Sequence, residues 1–402
     1  MGKQKLSAKL VRRPIDGQKN CESPYLEGVL MKNSFSGVYQ GRTVLVTGHT
    51  GFKGSWLTTW LLELGANVIG FSLEKAPTTP SNFVVSDLSP YITDLHGDIR
   101  DYEAINQVVK KHHPQIIFHL AAQPIVLHSI THPKLTLDTN AGGTVNVLEA
   151  IREAGTVQAL VSITTDKVYE NMEWLWGYRE SDRLGGHDPY SASKAMAEMA
   201  IAAYRHSFFH PDNYEKHGLA IASVRAGNVI GGGDFADFRL VPDCMKALMS
   251  GEPIGIRNPL SIRPWQHVLE PLSGYLWLGK KLLEEGPEYG EAWNFGPREQ
   301  WGIPAQQLAE KLVDLWGSGN WVHTDPGYAK VETGQLRLSW EKAAARLGWQ
   351  PVFTWDEALA EIVSWFKAYQ RSETEAVDMH EIGRRHIAAY TKHAKDLGLL
   401  WT

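Results

Sequence analysis

A glycine triplet constrains the fold of this chain more than any other feature. Gly48, Gly51 and Gly54 recur at three-residue intervals, directly after the β-branched apolar run of residues 44–47. Residues 56–64 then place apolar side chains at helical spacing, which predicts a helix with one apolar face. The order strand, glycine turn and helix brings backbone N–H groups and a helix N-terminus to a diphosphate. The triplet therefore predicts a dinucleotide-binding site, with a plain tight turn as the alternative.

Further strand patterns follow and alternate with helical stretches. We predict strands at residues 67–72, 91–99, 115–120, 159–164 and 222–226. Such alternation predicts a doubly wound, parallel Rossmann sheet of the α/β class. Ligands of such sheets bind beyond the carboxyl ends of the strands, so we expect the functional residues there.

The length of 402 residues is sufficient for two lobes. We predict an N-terminal extension at residues 1–35 and a Rossmann domain that binds NAD at residues 36–227. A smaller, mostly C-terminal lobe at residues 228–370 is expected to bind the substrate. Residues 371–402 are predicted to form a charged helical tail.

Charge and cysteine content exclude several classes of protein. A net charge of −5 gives no electrostatic case for binding nucleic acid or an anionic membrane, and no apolar run has the length of a membrane span. Two cysteines, Cys21 and Cys244, predict neither a disulfide framework nor a thiolate zinc site, and the histidines fit no ligand pattern, so no metal is expected. The basic N-terminus lacks the apolar segment of a secretory signal, so we expect a cytoplasmic protein.

The second and third strands indicate where the adenosine half of the cofactor lies. An acidic residue often holds the adenosine ribose at the end of the second strand, where this chain has Ser72. The choice between NAD and NADP stays open at this point, but no Arg follows immediately to bind a 2′-phosphate, which favours NAD. Asp98 either accepts the adenine amine or caps the next helix, and Asp101 is the better cap candidate.

Small residues after the fourth strand allow the backbone to pass close to a ligand. The candidate cofactor-binding residues come from the glycine loop, the ends of the second, third and fourth strands, and a Tyr–Lys pair that is described below. They are Gly48, His49, Gly51, Phe52, Lys53, Gly54, Ser72, Asp98, Ile99, Ala121, Ala122, Gln123, Tyr190 and Lys194.

A candidate acid–base site follows the fifth strand. Thr165, Asp166 and Lys167 place a hydroxyl, a carboxyl and an amine side by side, although a solvated turn with a local Asp–Lys pair is the alternative. Further on, Asp188 can cap a predicted helix, and Pro189 suits its first turn. Tyr190 and Lys194 lie four residues apart at the start of this helix, and therefore on one helical face.

The Tyr–Lys spacing has a chemical use. A phenol has a pKa of about 10, too high for a base at neutral pH. A nearby ammonium and a positive nicotinamide ring are expected to lower the pKa of Tyr190. Tyr190 can then remove a proton from a sugar hydroxyl while hydride leaves the same carbon.

The glycine loop, the strand hydroxyl and the Tyr-x3-Lys pair resemble those of the extended short-chain dehydrogenase/reductase family. More narrowly, residues 48–56, 165–171, 173–180 and 185–190 resemble the CDP-glucose 4,6-dehydratases, and the match runs from about residue 35 to beyond residue 349. The resemblance implies a lyase that uses NAD to convert CDP-glucose to CDP-4-dehydro-6-deoxyglucose, for deoxysugar or surface-polysaccharide synthesis.

The same resemblance implies residue roles. Tyr190 oxidises carbon 4 of the hexose with Thr165 on the same oxygen, while Lys194 supports the phenolate. Asp166 is the acid that protonates the leaving hydroxyl of carbon 6. Lys167 stands where sister dehydratases carry a Glu base, and it can act as a base only when it is neutral.

In the second lobe, the resemblance implies that Asn228 contacts the sugar-nucleotide diphosphate, although a left-handed turn residue is the alternative. Arg257 and Arg263 lie in apolar loops and are candidates for the diphosphate, with Arg263 favoured. Relatives commonly pair through the Tyr–Lys helix and its predecessor, so a homodimer or homotetramer is implied. Trp174 and Trp176 lie between the two catalytic segments, either as a lid or as loop anchors.

Three other functions fit the same motifs. A nucleotide-sugar 4-epimerase uses the Tyr–Lys pair but has no need of Asp166. A dTDP- or GDP-hexose 4,6-dehydratase differs only in the nucleotide. A non-catalytic dinucleotide sensor has no need of the intact pair of Tyr190 and Lys194. Fold analogy alone does not separate these functions.

Overall fold

The computed structural model describes residues 31–299, 301–324 and 336–402. Seven parallel strands form its central sheet in the order β11-β6-β5-β4-β1-β2-β3, which confirms the doubly wound arrangement. The strands in the described ranges are β1 (Thr43–Thr47), β2 (Asn67–Ser72), β3 (Thr93–His96), β4 (Ile116–His119), β5 (Ala159–Ile163), β6 (Ala220–Arg225), β7 (Val229–Ile230), β8 (Ile254–Ile256), β9 (Ile262–Arg263), β10 (Gln266–His267), β11 (Ala292–Asn294), β12 (Ile303–Pro304) and β13 (Trp321–His323).

Each predicted strand corresponds to a strand of the sheet, with bounds that differ by at most two residues except at the end of β3. Helices cover both faces of the sheet, so β1, β4, β5 and β6 are apolar and almost wholly buried. The prediction that the third strand extends to Ile99 is wrong, because pairing with β2 ends at His96. Beyond it, the Gly97 N–H donates to the Ser72 carbonyl and the chain turns.

The α-helices flank the central sheet and build the second lobe. Within the described ranges they are α1 (Phe52–Glu63), α2 (Asn82–Val85), α3 (Tyr102–His112), α4 (Val126–Thr131), α5 (Pro133–Leu137), α6 (Gly143–Ala154), α7 (Pro189–Ser207), α8 (Tyr214–His217), α9 (Leu240–Ser250), α10 (Leu269–Glu285), α11 (Ala305–Trp316), α12 (Glu341–Leu347), α13 (Trp355–Ser372) and α14 (Met379–Asp396). None of them is both long and apolar enough to cross a membrane.

The glycine loop leads into α1, as predicted, but this helix does not have a single apolar face. Residues 54–61 are buried without interruption. The reason is that α10 and α14 also pack against α1, which lies on the sheet. A helix enclosed on all sides is apolar all round, so the expectation of one apolar face is wrong.

The second lobe is interleaved with the Rossmann domain. β11 pairs with β6 at the edge of the central sheet, with Ala292 opposite Ser223, and α10 packs against β5 and β6. The chain therefore returns to the sheet after residue 228, and the proposed boundary at 227/228 stays a prediction. Two-stranded pairs of β7 with β10, β8 with β13 and β9 with β12 form the rest of the lobe together with its helices.

The end of the chain is helical, as expected, but it packs into the core instead of extending as a tail. Trp401 is 1% exposed and stacks on Phe35 at a centroid distance of 5.1 Å and on Tyr390 at 6.0 Å. The Phe35 N–H donates to the Trp401 carbonyl at 2.6 Å. Met31 and Phe35, at the end of the predicted N-terminal extension, are therefore core residues, and residues 1–30 of that extension lie outside the described residues.

Candidate active site

The glycine loop is built for close approach of backbone and ligand. Gly48 has a φ of +76°, and a Cβ there would lie 2.7 Å from the Ala121 nitrogen. A Cβ on Gly54 would lie 2.1 Å from the Gly48 carbonyl oxygen, so α1 packs directly on the loop. Gly51 precedes α1 and offers no side chain to cap it. The first-turn amides of α1 thus fit the diphosphate of a dinucleotide.

Two of the candidate cofactor-binding residues, His49 and Ser72, are hydrogen-bonded to each other behind the glycine loop. The His49 imidazole is fully buried, with Nδ1 3.0 Å from the Ser72 Oγ and Nε2 2.8 Å from Asp94. Burial lowers the pKa of His49, and the hydrogen bond to Asp94 opposes that shift. Gly70 makes room for the ring, since a Cβ there would lie 2.5 Å from it. Asp94, which was not among the residues predicted from the sequence, supplies the carboxylate that holds His49.

The structure assigns different contacts to the two acidic residues after β3, Asp98 and Asp101. Asp101 caps α3 by accepting the Ala104 N–H, as expected. Asp98 pairs with Arg100 at 2.9 Å, and the hydrogen bond from that guanidinium lowers the pKa of Asp98. The Ile99 side chain is buried against Gly143 of α6. Whether Asp98 contacts adenine stays a prediction.

The segment after β4 is tied to the Tyr–Lys helix. The Gln123 N–H donates to the Asn140 Oδ1 at 2.8 Å, and the Asn140 Nδ2 donates to the Ser193 Oγ at 2.9 Å. Ala121 and Ala122 precede Gln123 and run beside the glycine loop. Asn140 therefore connects the candidate cofactor site with α7, a function that its position in a helical pattern did not indicate.

Helix α7 begins as the sequence predicts. Asp188 caps it by accepting the Ser191 N–H at 2.9 Å, and Pro189 occupies the first turn. Tyr190 and Lys194 are both buried, and the Lys194 Nζ donates to the Ile163 carbonyl at 3.1 Å.

The pKa of Tyr190 is raised to about 12, against the expected lowering. Burial is the main cause, while a hydrogen bond with Thr165 and the positive charge of Arg239 act in the opposite direction. Burial also lowers the pKa of Lys194 to about 8, and the charge of Glu198 opposes that shift. Burial of the phenol thus outweighs the positive charges that this chain itself supplies.

Asp166 is a buried carboxyl group beside Thr165. Its Oδ1 accepts the Thr165 hydroxyl at 3.0 Å, and Asn228 donates to its Oδ2 at 3.4 Å. A Cβ on Gly227 would lie 1.9 Å from this oxygen, so the site requires glycine there. The alternative of a solvated Asp–Lys turn is wrong, because Asp166 is 4% exposed and no ion pair in the described part of the chain joins it to the half-buried Lys167.

Lys53 of the glycine loop faces charged groups from three other elements. Burial lowers its pKa to about 7; the charges of Arg239 and Lys194 add to that shift, and those of Asp166 and Asp234 oppose it. Arg239, just before α9, also pairs with Asp234 at 3.0 Å. Sequence reasoning missed Arg239 and Asp234; the only signal was the glycine run that precedes Asp234.

The candidate substrate residues lie on different parts of the second lobe. Asn228 has a φ of +51°, as the turn alternative requires, and its side chain also reaches Asp166. Arg257 follows β8 and is exposed, and its carbonyl accepts from His323. Arg263 lies in β9 and lines a small cavity with Trp265.

The two loop tryptophans differ in their contacts. Trp174 stacks on Tyr178 at 5.2 Å with an interplanar angle of 19°, which makes it a loop anchor. Trp176 is 58% exposed and contacts Trp174 at a tilt. Throughout the described ranges, no group of three or more His, Cys, Asp or Glu side chains is placed to hold a metal ion.

A glycine loop before α1 and a Tyr-x3-Lys pair on α7 define an extended short-chain dehydrogenase/reductase. The family model for GDP-mannose 4,6 dehydratase matches residues 45–270, more than half of the chain. The chain belongs to this family of nucleotide-sugar dehydratases.

Individual relatives share most of their length with this chain. It is 48% identical over 353 residues to the CDP-glucose 4,6-dehydratase of Salmonella typhimurium, covering 88% of this chain and 97% of that protein. It is 29% identical to a dTDP-glucose 4,6-dehydratase of Streptomyces antibioticus, covering 81% and 92% of the two chains.

Solved structures share the fold. The dTDP-glucose 4,6-dehydratase of Streptomyces venezuelae, with NAD and TYD bound, is 26% identical with a TM-score of 0.67 and covers 83% of this chain and 99% of that one. The UDP-glucose 4-epimerase of Thermotoga maritima has a TM-score of 0.69 at 24% identity and covers 81% of this chain and 99% of that one. The fold is therefore common to dehydratases and epimerases.

Proposed function

We propose that this chain dehydrates CDP-glucose to CDP-4-dehydro-6-deoxyglucose, with NAD as its bound cofactor. The observation that carries the proposal is the buried Asp166 next to Thr165, at the strand end that the Tyr190–Lys194 pair faces. A 4-epimerase needs the pair but not a buried acid. The 48% identity to a CDP-glucose 4,6-dehydratase supports both the reaction and the cytidine nucleotide.

The proposed reaction balances in three steps. Carbon 4 loses a hydride and its hydroxyl loses a proton, which gives a ketone. Carbon 5 then loses a proton, and the hydroxyl of carbon 6 leaves as water after it is protonated. Finally the hydride adds to carbon 6 and a proton returns to carbon 5. NAD, when bound, supplies the reversible hydride acceptor.

The side chains at the strand end supply the proton transfers. Tyr190 takes the proton of the carbon 4 hydroxyl, while Thr165 is hydrogen-bonded to the same oxygen. Asp166, buried next to Thr165, protonates the hydroxyl that leaves carbon 6. Lys167 is proposed as the base at carbon 5. Lys53, Gly48 and the first turn of α1 are proposed to hold the diphosphate of NAD.

The substrate diphosphate is proposed to lie along the second lobe. Asn228, Arg257 and Arg263 remain its candidate ligands, and Arg239 joins them because its charge reaches Tyr190 and Lys53. The expected cytoplasmic location stays a prediction.

We also propose assembly as a homodimer or homotetramer through α6 and α7. Met196 and Met199 of α7 are 49% and 55% exposed, and Val145 of α6 is 36% exposed. Exposed apolar side chains on two neighbouring helices are typical of a surface that a second copy covers.

The experiment uses CDP-glucose labelled with deuterium at carbon 4, with the dTDP, UDP and GDP analogues in parallel. The deuterium is expected in the methyl group of the 4-keto product. Label retained at carbon 4, or lost to solvent, contradicts the mechanism. A product with galactose configuration supports the epimerase, and reaction with dTDP-glucose alone overturns the proposed nucleotide.

A further inference from the structure

Glu198 continues the catalytic face of α7 by one turn. Tyr190, Lys194 and Glu198 follow at four-residue spacing, so their side chains lie along one side of the helix. Each of them contacts one of the three consecutive residues 163–165 at the end of β5. Lys194 donates to the carbonyl of residue 163, Glu198 accepts the hydroxyl of residue 164 at 2.6 Å, and Tyr190 is hydrogen-bonded to residue 165.

The Glu198 carboxylate is fully enclosed and fully hydrogen-bonded. Its side chain is 3% exposed. Thr164 and Ser223 donate their hydroxyl groups to it at 2.6 and 2.7 Å. Arg225 of β6 donates through both Nε and Nη2 at 2.9 Å, as a two-point contact with both carboxylate oxygens.

Arg225 connects this carboxylate with the segment that follows Asp166. Its Nη1 donates to the Tyr169 hydroxyl at 2.7 Å and to the Glu180 carbonyl at 3.2 Å. Tyr169 in turn donates to Asn294 of β11 at 2.8 Å. The pair of Glu198 and Arg225 therefore joins α7, β6 and the loop after β5 at one point.

The charge of Glu198 acts on Lys194, whose pKa burial lowers to about 8. Two titratable groups face Lys194 from other elements. Lys53 of α1 repels it, and His119 of β4 has a pKa lowered to about 3, so this imidazole is neutral. Glu198 is thus the carboxylate that favours the charged form of Lys194.

We propose that Glu198, held by Arg225, is a positioning residue for the Tyr190–Lys194 pair. It sets the rotation of α7 against the end of β5, and it keeps a positive charge on Lys194. The proposal deepens the proposed function, because it assigns how Lys194 of the Tyr–Lys pair stays charged. It rests on hydrogen bonds that hold for any substrate of this pair, so it can fail or succeed independently of the nucleotide and of water loss.

The test uses two variants that change charge in opposite directions, Glu198→Gln and Arg225→Met. Reduction of bound NAD by CDP-glucose is followed at 340 nm in a single turnover as a function of pH. Loss of the carboxylate should move the alkaline limb of the profile down by about one pH unit. Loss of the guanidinium leaves Glu198 buried without its ion-pair partner, which favours the protonated carboxyl group, so the limb of Arg225→Met should also move down. The ε-¹³C NMR signal of Lys194, assigned by its loss in Lys194→Arg, should titrate in parallel without substrate.

Thr164→Val is the matched control, because it removes one hydrogen bond to Glu198 without changing charge, and its limb should stay in place. Removal of one partner of a buried ion pair is strongly destabilising, so the double variant Glu198→Gln with Arg225→Met is included. The alkaline limb of the double variant should lie at a lower pH than that of the wild type. A limb that stays in place or moves up in Glu198→Gln and in the double variant overturns the proposal. Absence of NAD reduction in the wild-type protein contradicts the proposed function instead, and the NMR titration still decides the proposal.

Discussion

Substitution of Lys53 by Met should abolish a proton uptake that accompanies binding of a diphosphate. Burial lowers the pKa of Lys53 to about 7, and the facing charges of Arg239 and Lys194 add to that shift. A diphosphate beside Lys53 adds negative charge and therefore raises that pKa again. Binding must then draw a proton from solution at every pH between the two values.

The size of this uptake follows from the pKa. At pH 8.5, a group with a pKa of about 7 carries about 0.03 proton, and one returned to its ordinary 10.5 carries about 0.99. The expected uptake is therefore about one proton per site. The affinity of the wild type should fall about tenfold for each unit of pH rise near pH 8.5, relative to the variant.

Isothermal titration calorimetry in buffers of different ionisation enthalpy counts this proton directly. NAD and CDP are titrated separately into the wild type, Lys53→Met and the exposed Lys75→Met, which controls for net charge. Uptake with NAD that only Lys53→Met lacks supports the proposed cofactor contact. Uptake confined to CDP moves Lys53 to the substrate. Equal uptake by wild type and Lys53→Met with both ligands refutes the reasoning.

Three further predictions concern chemistry and stability. Asp166→Asn should still reduce bound NAD in the presence of CDP-glucose but stop before water is lost, as seen at 340 nm and by product analysis; complete loss of reduction contradicts the role of Asp166 as the acid. Trp401→Ala should lower the free energy of unfolding by about 3–5 kcal/mol in a urea titration, because Trp401 is buried. In the same titration Leu400→Ala should change this free energy by less than about 0.5 kcal/mol, because the Leu400 side chain is 69% exposed. In a Cys21→Ser background, Cys244 should not react with an aromatic disulfide reagent until the protein is unfolded, because burial encloses the thiol and raises its pKa; rapid reaction in native buffer contradicts this environment.

Local sequence patterns correctly predicted those parts of the fold that depend only on residues close together in the chain. The range 67–72 coincides with β2, and Asp188 with Pro189 marked the start of α7, because strand periodicity and helix capping act within a few residues. The end of β3 was misplaced because that strand is short and ends where its partner does. The prediction of a single apolar face for α1 was wrong because α10 and α14, two helices distant in sequence, pack against it.

Some features of the candidate site follow from local sequence, and others depend on the tertiary structure. Tyr190 and Lys194 are neighbours on any helix, and a glycine with positive φ follows from a strand–turn–helix pattern, so the sequence by itself determined these features. The charged surroundings of Lys53, the burial of Asp166 and the pair of Glu198 with Arg225 were decided only by the tertiary structure. The physical reason is that pKa shifts and buried ion pairs depend on which distant segments exclude water together, and no local periodicity records that.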